Sequence, residues 1–306
     1  MTRILLTGKN GQVGWELQRT LVTLGEVIAL DRQDLNLADP DAIRHTVREL
    51  KPNLIVNAAA YTAVDKAEEE SDLAMAINGT APGILAEEAK RLGAALIHYS
   101  TDYVFDGNKD GPYTEDDTPN PLNVYGRTKL AGDRAIQAVG VPYLIFRTSW
   151  VYGMRGKSFL LTILRLARER DELRIVNDQI GAPTWSRMIA EATAQVMAQF
   201  SFPRGDGWNE SNTGIYHMTA GNSTSWHGFA NLIVETLKRQ GTGGSIRTTA
   251  VVPIATEAYP SRAKRPKNSQ LRTSKFTHQF GLVMPSWDAA VHLCMAELLV
   301  DGGHCP

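Results

Sequence analysis

Tyr125 and Lys129 stand four residues apart. On a helix that spacing puts both side chains on one face, with the ammonium near the phenol. A cation there favours phenolate and lowers a pKa that starts near 10. A phenol tuned in this way can hand a proton to a developing alkoxide, the task of a general acid in ketone reduction. A second constellation opens the chain, where the apolar run Arg3-Ile4-Leu5-Leu6-Thr7 meets glycines spaced by three, Gly8, Gly11 and Gly14. Gly8 permits a tight turn off a strand, Gly11 lets the main chain approach a pyrophosphate, and Gly14 lets the following helix sit close on the sheet. The anion then meets free N–H groups at the helix N-terminus. Asp31 closes the next apolar run, where a dinucleotide fold places the carboxylate that takes a ribose 2′-OH. Arg32 beside it, with Lys9, offers charge for a 2′-phosphate instead. The two constellations imply a nicotinamide dinucleotide, NADPH or NADH, working with a proton donor.

The elements that must position these groups are legible as periodicities. A helix from Gln12 to Leu24 carries Val13, Leu17, Leu21 and Leu24 on one face, and Val27 to Leu30 follows as a strand. Ala38-Asp39-Pro40 caps a helix running to Leu50, then Asn53 to Ala59 reads as a buried strand. One long helix from about Leu73 to Leu92, a strand Ala94 to Ser100, a helix Leu122 to Ala138 and a strand Pro142 to Trp150 continue the alternation. Repeated βαβ with short apolar strands means an α/β fold, a doubly wound parallel sheet of Rossmann type. Asp106 to Pro121, rich in Gly, Pro, Asp and Asn, is a loop that can roof a site. Beyond Gly153 the pattern breaks into a helix Phe159 to Arg170, a strand Leu173 to Val176, a helix Ser186 to Phe200, a polar stretch Pro203 to Thr213, and helices Phe229 to Arg239 and Trp287 to Val300. The expected organisation is a dinucleotide domain over 1–152, to which about 185–222 returns, and a smaller mixed α/β substrate domain over 153–184 and 223–306.

With 306 residues, 43% apolar content and a net charge of −1, the chain can bury one large core or two unequal ones and is a poor partner for nucleic acid or anionic membranes. It has no apolar run of about 18 residues, and it enters a strand without a basic, cleavable leader, so a cytoplasmic protein is expected. Cys294 and Cys305 lack metal spacing and read as a buried small hydrophobe and a tail thiol. The seven histidines are scattered with no pair at ligand spacing, and His98 and His217, each on a strand, suggest no metal site and read as packing or surface residues. The acidic run Glu68-Glu69-Glu70 complements a helix dipole.

Beyond these physical readings, Gly8-x-x-Gly11-x-x-Gly14, Asn57-Ala58-Ala59-Ala60, Ser100-Thr101 and Tyr125-x-x-x-Lys129 resemble the extended short-chain dehydrogenase/reductase superfamily. Within it, Asn57 to Glu68, Tyr99 to Phe105, Pro121 to Gly126, Phe146 to Tyr152 and Arg265-Pro-x-x-Ser269 resemble the dTDP-4-dehydrorhamnose reductases over nearly the whole chain. The resemblance implies hydride delivery to C4 of a 4-keto-6-deoxy sugar nucleotide with Tyr125 protonating the oxygen. It implies that Lys129 binds the nicotinamide ribose and depresses the Tyr125 pKa, and that the Thr101 hydroxyl bonds the carbonyl or the phenol. Gly11, Gln12, Val13, Asp31, Ala60, Tyr61, Thr62 and Tyr99 fall at its cofactor positions. Thr101, Asp102 and Trp150 fall at its sugar-nucleotide positions, Trp150 being equally suited to a core, and Arg265 is suited to neutralising a diphosphate.

The related dehydratases place an acid after the Thr-Asp pair, whereas this chain has Tyr103, so reduction fits better than dehydration. An epimerase or reductase of another nucleotide sugar, and a non-catalytic regulatory subunit, are the alternatives. Some members of the family dimerise through magnesium, for which Glu16 and Glu297 are candidate ligands. After Gly181-Ala-Pro-Thr184, however, the chain offers Trp185-Ser186-Arg187, and a positive side chain repels a cation. No metal site and a monomer or weak homodimer are therefore expected.

Overall fold

The computed structural model describes residues 2–200, 208, 212–240 and 246–300. Cys305 and most of the polar stretch Pro203 to Thr213 lie outside the described residues. The first half runs β1 (Arg3–Thr7), α1 (Gln12–Thr20), β2 (Glu26–Leu30), α2 (Pro40–Leu50), β3 (Leu54–Asn57), α3 (Val64–Ala67), α4 (Ser71–Met75), α5 (Ala81–Leu92), β4 (Ala95–Thr101), α6 (Val124–Val139) and β5 (Tyr143–Thr148). Then follow β6 (Val151–Tyr152), α7 (Phe159–Glu169), β7 (Glu172–Val176), β8 (Ile180–Gly181), β9 (Thr184–Trp185), α8 (Ser186–Ala198) and β10 (Gly214–His217). The chain ends with β11 (Thr224–Ser225), α9 (Trp226–Gln240), β12 (Ala250–Ile254), α10 (Ser274–Phe280) and α11 (Trp287–Val300).

Six strands form a parallel sheet in the order β10-β5-β4-β3-β1-β2. The chain leaves β1 for β2 on one side and returns to β3 on the other, so the strand order reverses there and opens a crevice beyond the strand ends. Alternation sorts the side chains. Leu5, Ile55, Leu96 and Ile145 face one side, against α2, α5 and α6. Leu6, Val56, Ile97, Tyr99 and Phe146 face the other, against α1 and α8. A third core, with Tyr152, Trp185, Phe229 and Cys294, joins α7, α9 and α11 in a smaller lobe beside the paired strands β7 and β12. α10 falls in the span expected for that lobe, yet its Phe276 and Phe280 pack into the core between the sheet and α8.

Three elements differ from the sequence expectation. The first helix stops at Thr20, because the chain turns over Leu21 to Leu24 to bring Glu26 N onto Thr2 O at 2.8 Å. The strand ending at Thr148 is shorter than Pro142 to Trp150 because Trp150 adopts φ +46° and bends the chain into β6. The single long helix from about Leu73 is three pieces, α4, a π-helical turn Ala76–Thr80, and α5. Such turns gather at functional sites, and here Asn78 sits within one.

Candidate active site

The apolar face of the sheet that meets α6 turns polar at its C-terminal edge. Register puts Thr7, Asn57 and His98 side by side on β1, β3 and β4, and Ser100, Arg147 and His217 side by side on β4, β5 and β10. Thr7 Oγ1 donates to Asn57 Oδ1 at 2.6 Å, and Asn57 Nδ2 lies 3.0 Å from His98 Nδ1. From α6, Lys129 Nζ lies 3.1 Å from His98 Nε2 and donates to Tyr99 O at 2.6 Å. One turn further along, Asp133 accepts from Ser100 Oγ at 2.9 Å and from Arg147 Nε and Nη2 at 3.3 Å. All these side chains are buried. Burial drives the His98 imidazole far below its ordinary range and the Lys129 ammonium down to about 8. His98, read from the sequence as a packing or surface residue, is buried and is hydrogen-bonded to Lys129 and Asn57 as well.

Tyr125 opens α6, whose N-cap Asn123 accepts from Gly126 N at 2.8 Å and donates to Lys264 O at 2.9 Å. Burial pushes the Tyr125 phenol up to about 12, with the Thr101 hydroxyl pulling the other way. This runs against the expected depression by Lys129, which directs two of its three N–H groups to Tyr99 O and His98 Nε2. Thr101 Oγ1 donates to Asp102 Oδ1 at 3.0 Å, and the Ser269 hydroxyl is a second group acting on this buried carboxyl. Burial raises the Asp102 carboxyl to about 6. Tyr103 meets Tyr125 edge-on at 5.7 Å. The Arg265 guanidinium is paired with Asp65 at 2.6 Å. The Trp150 ring lies in the smaller lobe, stacked 3.6 Å from Trp226 over Gly181.

Beyond β1, Gly8 has φ +78°, and a Cβ at Gly14 would stand 2.1 Å from Gly8 O, so neither position accepts a side chain. Gly11 caps α1 with no side-chain hydrogen bond, leaving the amides of the first turn for an anion. Asp31 accepts from Gln33 N at 2.8 Å and from Asn10 Nδ2 at 2.9 Å, and the Gln33 N–H, with that of Asp34 and the Lys9 charge, holds its carboxyl below the usual range. Lys9 is paired with Asp34 and lies 3.5 Å from Asp31, and Arg32 is exposed. Tyr61 N donates to Asn78 Oδ1 at 2.8 Å and Asn78 Nδ2 returns to Tyr61 O at 3.0 Å, which fixes the strand-end segment Ala60-Tyr61-Thr62. The residues present therefore fit a dinucleotide. Four of the expected cofactor side chains make other contacts. Gln12 Nε2 donates to Lys157 O at 3.1 Å, Val13 packs against the core, and the Tyr61 hydroxyl donates to Glu70 at 2.6 Å. Tyr99 has the opposite parity to His98, so its phenol lies in the core 2.8 Å from Thr193 Oγ1 and only its carbonyl reaches Lys129.

Away from the crevice, Arg187 bridges Glu16 at 3.4 Å and Glu297 at 2.5 Å. Among the described residues no group of three or more His, Cys, Asp or Glu could hold a metal ion, and no helix is long and apolar enough to cross a membrane.

A parallel sheet with a glycine turn at its switch point, and a Tyr-Lys pair on the helix after β4, defines a nicotinamide-dependent oxidoreductase of the extended short-chain type. The family described as RmlD substrate binding domain matches residues 1–300. A dTDP-4-dehydrorhamnose reductase of Burkholderia thailandensis is 48% identical over 97% of this chain and 99% of its own. The crystal structure of a Clostridium acetobutylicum dTDP-4-dehydrorhamnose reductase superposes with a TM-score of 0.87 at 39% identity, covering 97% of this chain and 99% of that one. A Bacillus anthracis dTDP-4-dehydrorhamnose reductase in complex with NADP gives 0.87 at 33%, covering 97% and 100%. The chain belongs to the dTDP-4-dehydrorhamnose reductase family.

Proposed function

We propose that this chain reduces the C4 ketone of dTDP-4-dehydro-L-rhamnose to give dTDP-L-rhamnose, using NADPH or NADH, in nucleotide-sugar supply to cell-surface polysaccharide. The observation that carries the reading is the buried Tyr125–Lys129 face of α6 beside Thr101, at the mouth of a glycine-turn crevice, in a chain 48% identical to a reductase of this name. Bound at Gly8, Gly11, Gly14, Asp31 and Ala60 to Thr62, the reduced dinucleotide supplies the hydride. Tyr125, protonated at neutral pH, gives its proton to the carbonyl oxygen as negative charge develops there. The Thr101 hydroxyl, beside the phenol, turns its one O–H from Asp102 Oδ1 to donate to the same oxygen. Lys129 keeps a buried positive charge near the nicotinamide ribose. Asp102, Tyr103 and Trp150 line the sugar-nucleotide side, where Tyr103 supplies no carboxylate to abstract a proton. The smaller lobe, 153–184 with most of 223–306, holds the nucleotide. The protein is a monomer or a metal-independent weak dimer, with Arg187 occupying the ground between Glu16 and Glu297.

Nicotinamide absorbance with purified protein, both reduced cofactors and a panel of 4-keto sugar nucleotides tests the reading. Stoichiometric oxidation on addition of dTDP-4-dehydro-L-rhamnose is expected. Cofactor bound but never consumed, with substrate epimerised or untouched, sinks it.

A further inference from the structure

Lys129 is buried with no carboxylate within ion-pair distance among the described residues, and its two internal partners are both on β4: the Tyr99 carbonyl at 2.6 Å and His98 Nε2 at 3.1 Å. Behind His98 the chain continues through Asn57 to Thr7, the residue before the glycine turn. We propose that His98 is a positioning residue for the reaction, fixing the charge and direction of the Lys129 ammonium through the His98–Asn57–Thr7 chain. The inference rests on the reading of Tyr125 and Lys129 as the proton-handling pair.

The argument is one of donors and acceptors. An ammonium only donates, and a neutral imidazole has one donor nitrogen and one acceptor. Burial keeps His98 neutral. While Lys129 is charged, Nε2 must accept, so the ring proton sits on Nδ1 and must be received by the Asn57 amide oxygen, with the amide NH2 turned to Thr7 Oγ1. When Lys129 loses its proton, Nε2–H donates to the amine, Nδ1 accepts from the Asn57 NH2, and the Thr7 hydroxyl donates to Asn57 Oδ1. The same heavy-atom positions serve both arrangements, and only the amide turns over. Lysine charge and histidine tautomer are therefore one variable.

Other charged groups do not displace His98 from this role. Asp133 acts on Lys129 from its own helix and is already held by Arg147 of β5, and Tyr125 lies one turn earlier on that helix. Asp102 acts on Tyr125 rather than on Lys129. Asn57 and Thr7, from β3 and β1, do not titrate. With Lys129 at about 8 because of burial, loss of an acceptor for its N–H destabilises the charged form further and lowers that value.

Two variants and one spectrum test this. In His98→Leu, the basic limb of the kcat/KM profile should move down by about one pH unit, the scale of one hydrogen bond to a charged group. In His98→Gln, whose amide oxygen accepts from the ammonium, the limb should return. A uniform loss of rate with the limb unmoved, or a Gln variant as shifted as the Leu one, overturns the proposal. Because His98→Leu can fail to fold, 15N-histidine spectra of the unliganded wild-type protein are read between about pH 6 and pH 10. His98 should pass from the Nδ1–H to the Nε2–H tautomer without becoming imidazolium. A single tautomer throughout overturns the coupling. The spectrum needs neither cofactor nor turnover, so a wrong substrate leaves it intact, whereas an active reductase with a fixed tautomer refutes this inference alone.

Discussion

A phenol held near 12 carries its proton at neutral pH, and that is the form a donor to an alkoxide requires. Tyr125→Phe should lower kcat by about 10²- to 10⁴-fold while the Kd for NADPH, measured by calorimetry, stays within about twofold of wild type. Unchanged turnover reassigns the donor. Asp102 makes a separate, pH-dependent statement. Its carboxyl rises from 3.8 to about 6 on folding, so between those values the folded state holds a proton the unfolded chain has released. Stability is then fullest below about pH 4 and declines as pH rises through about 6, by roughly 3 kcal/mol at most. Denaturant unfolding should show Asp102→Asn gaining on wild type between pH 4.5 and pH 7.5, and parallel curves would refute it. Asp31→Ala should weaken NADH more than NADPH, because it removes a 2′-OH acceptor together with the repulsion of a 2′-phosphate. Equal losses in two binding titrations would turn Asp31 away from the ribose. At this scale the sequence made Tyr125, Lys129 and Asp31 legible through spacing, and Thr101 through the family resemblance. His98, Asn57 and Asn78 were hidden because their roles depend on cross-strand register and on a helix irregularity, neither of which is written in local spacing.

Among the elements, α6 carries Tyr125, Lys129 and Asp133 on one face, and its first turn is set by Asn123. That side chain caps Gly126 N and also donates to Lys264 O, so one residue fixes both the start of the catalytic helix and the 264–269 segment laid across it. Asn123→Ala should cost about 1 to 2 kcal/mol in urea unfolding, a cap plus a second buried bond. It should also lower kcat, since Tyr125 lies in the freed turn. Asp39→Ala, which removes an exposed cap of α2 (3.0 Å to Asp41 N and 3.1 Å to Ala42 N), should lose about 1 kcal/mol and keep kcat. If both variants keep full kcat, the cap does not hold the donor. The strands and most helices were readable because alternation and caps are local signals. The π-helical turn was not, because what favours it is the Asn78 amide bridging both backbone groups of Tyr61 across a gap in sequence.

Across the whole molecule, Arg187 on α8 ties α1 of the main sheet to α11 of the smaller lobe through Glu16 and Glu297. Glu191, on the next turn of α8, has its carboxyl raised by burial, with Glu16 and Glu297 adding to the rise and Arg187 opposing it. The guanidinium is thus the counter-cation of three carboxylates, and its removal leaves like charges facing one another. Arg187→Ala should lose about 1 kcal/mol at pH 7, the scale of a partly exposed ion-pair network. The deficit should shrink toward pH 5, because the uncompensated carboxylates then take up protons that the unfolded chain does not bind as readily. A deficit independent of pH would mean that Arg187 acts by packing alone. The same geometry bears on assembly, since a cation already covalently part of the chain offsets part of the charge of Glu16, Glu191 and Glu297 and repels a divalent ion at that place. Sedimentation velocity of the wild-type protein should accordingly give one profile with EDTA and with millimolar magnesium, and a dimer that EDTA dissociates would place a metal where Arg187 now stands.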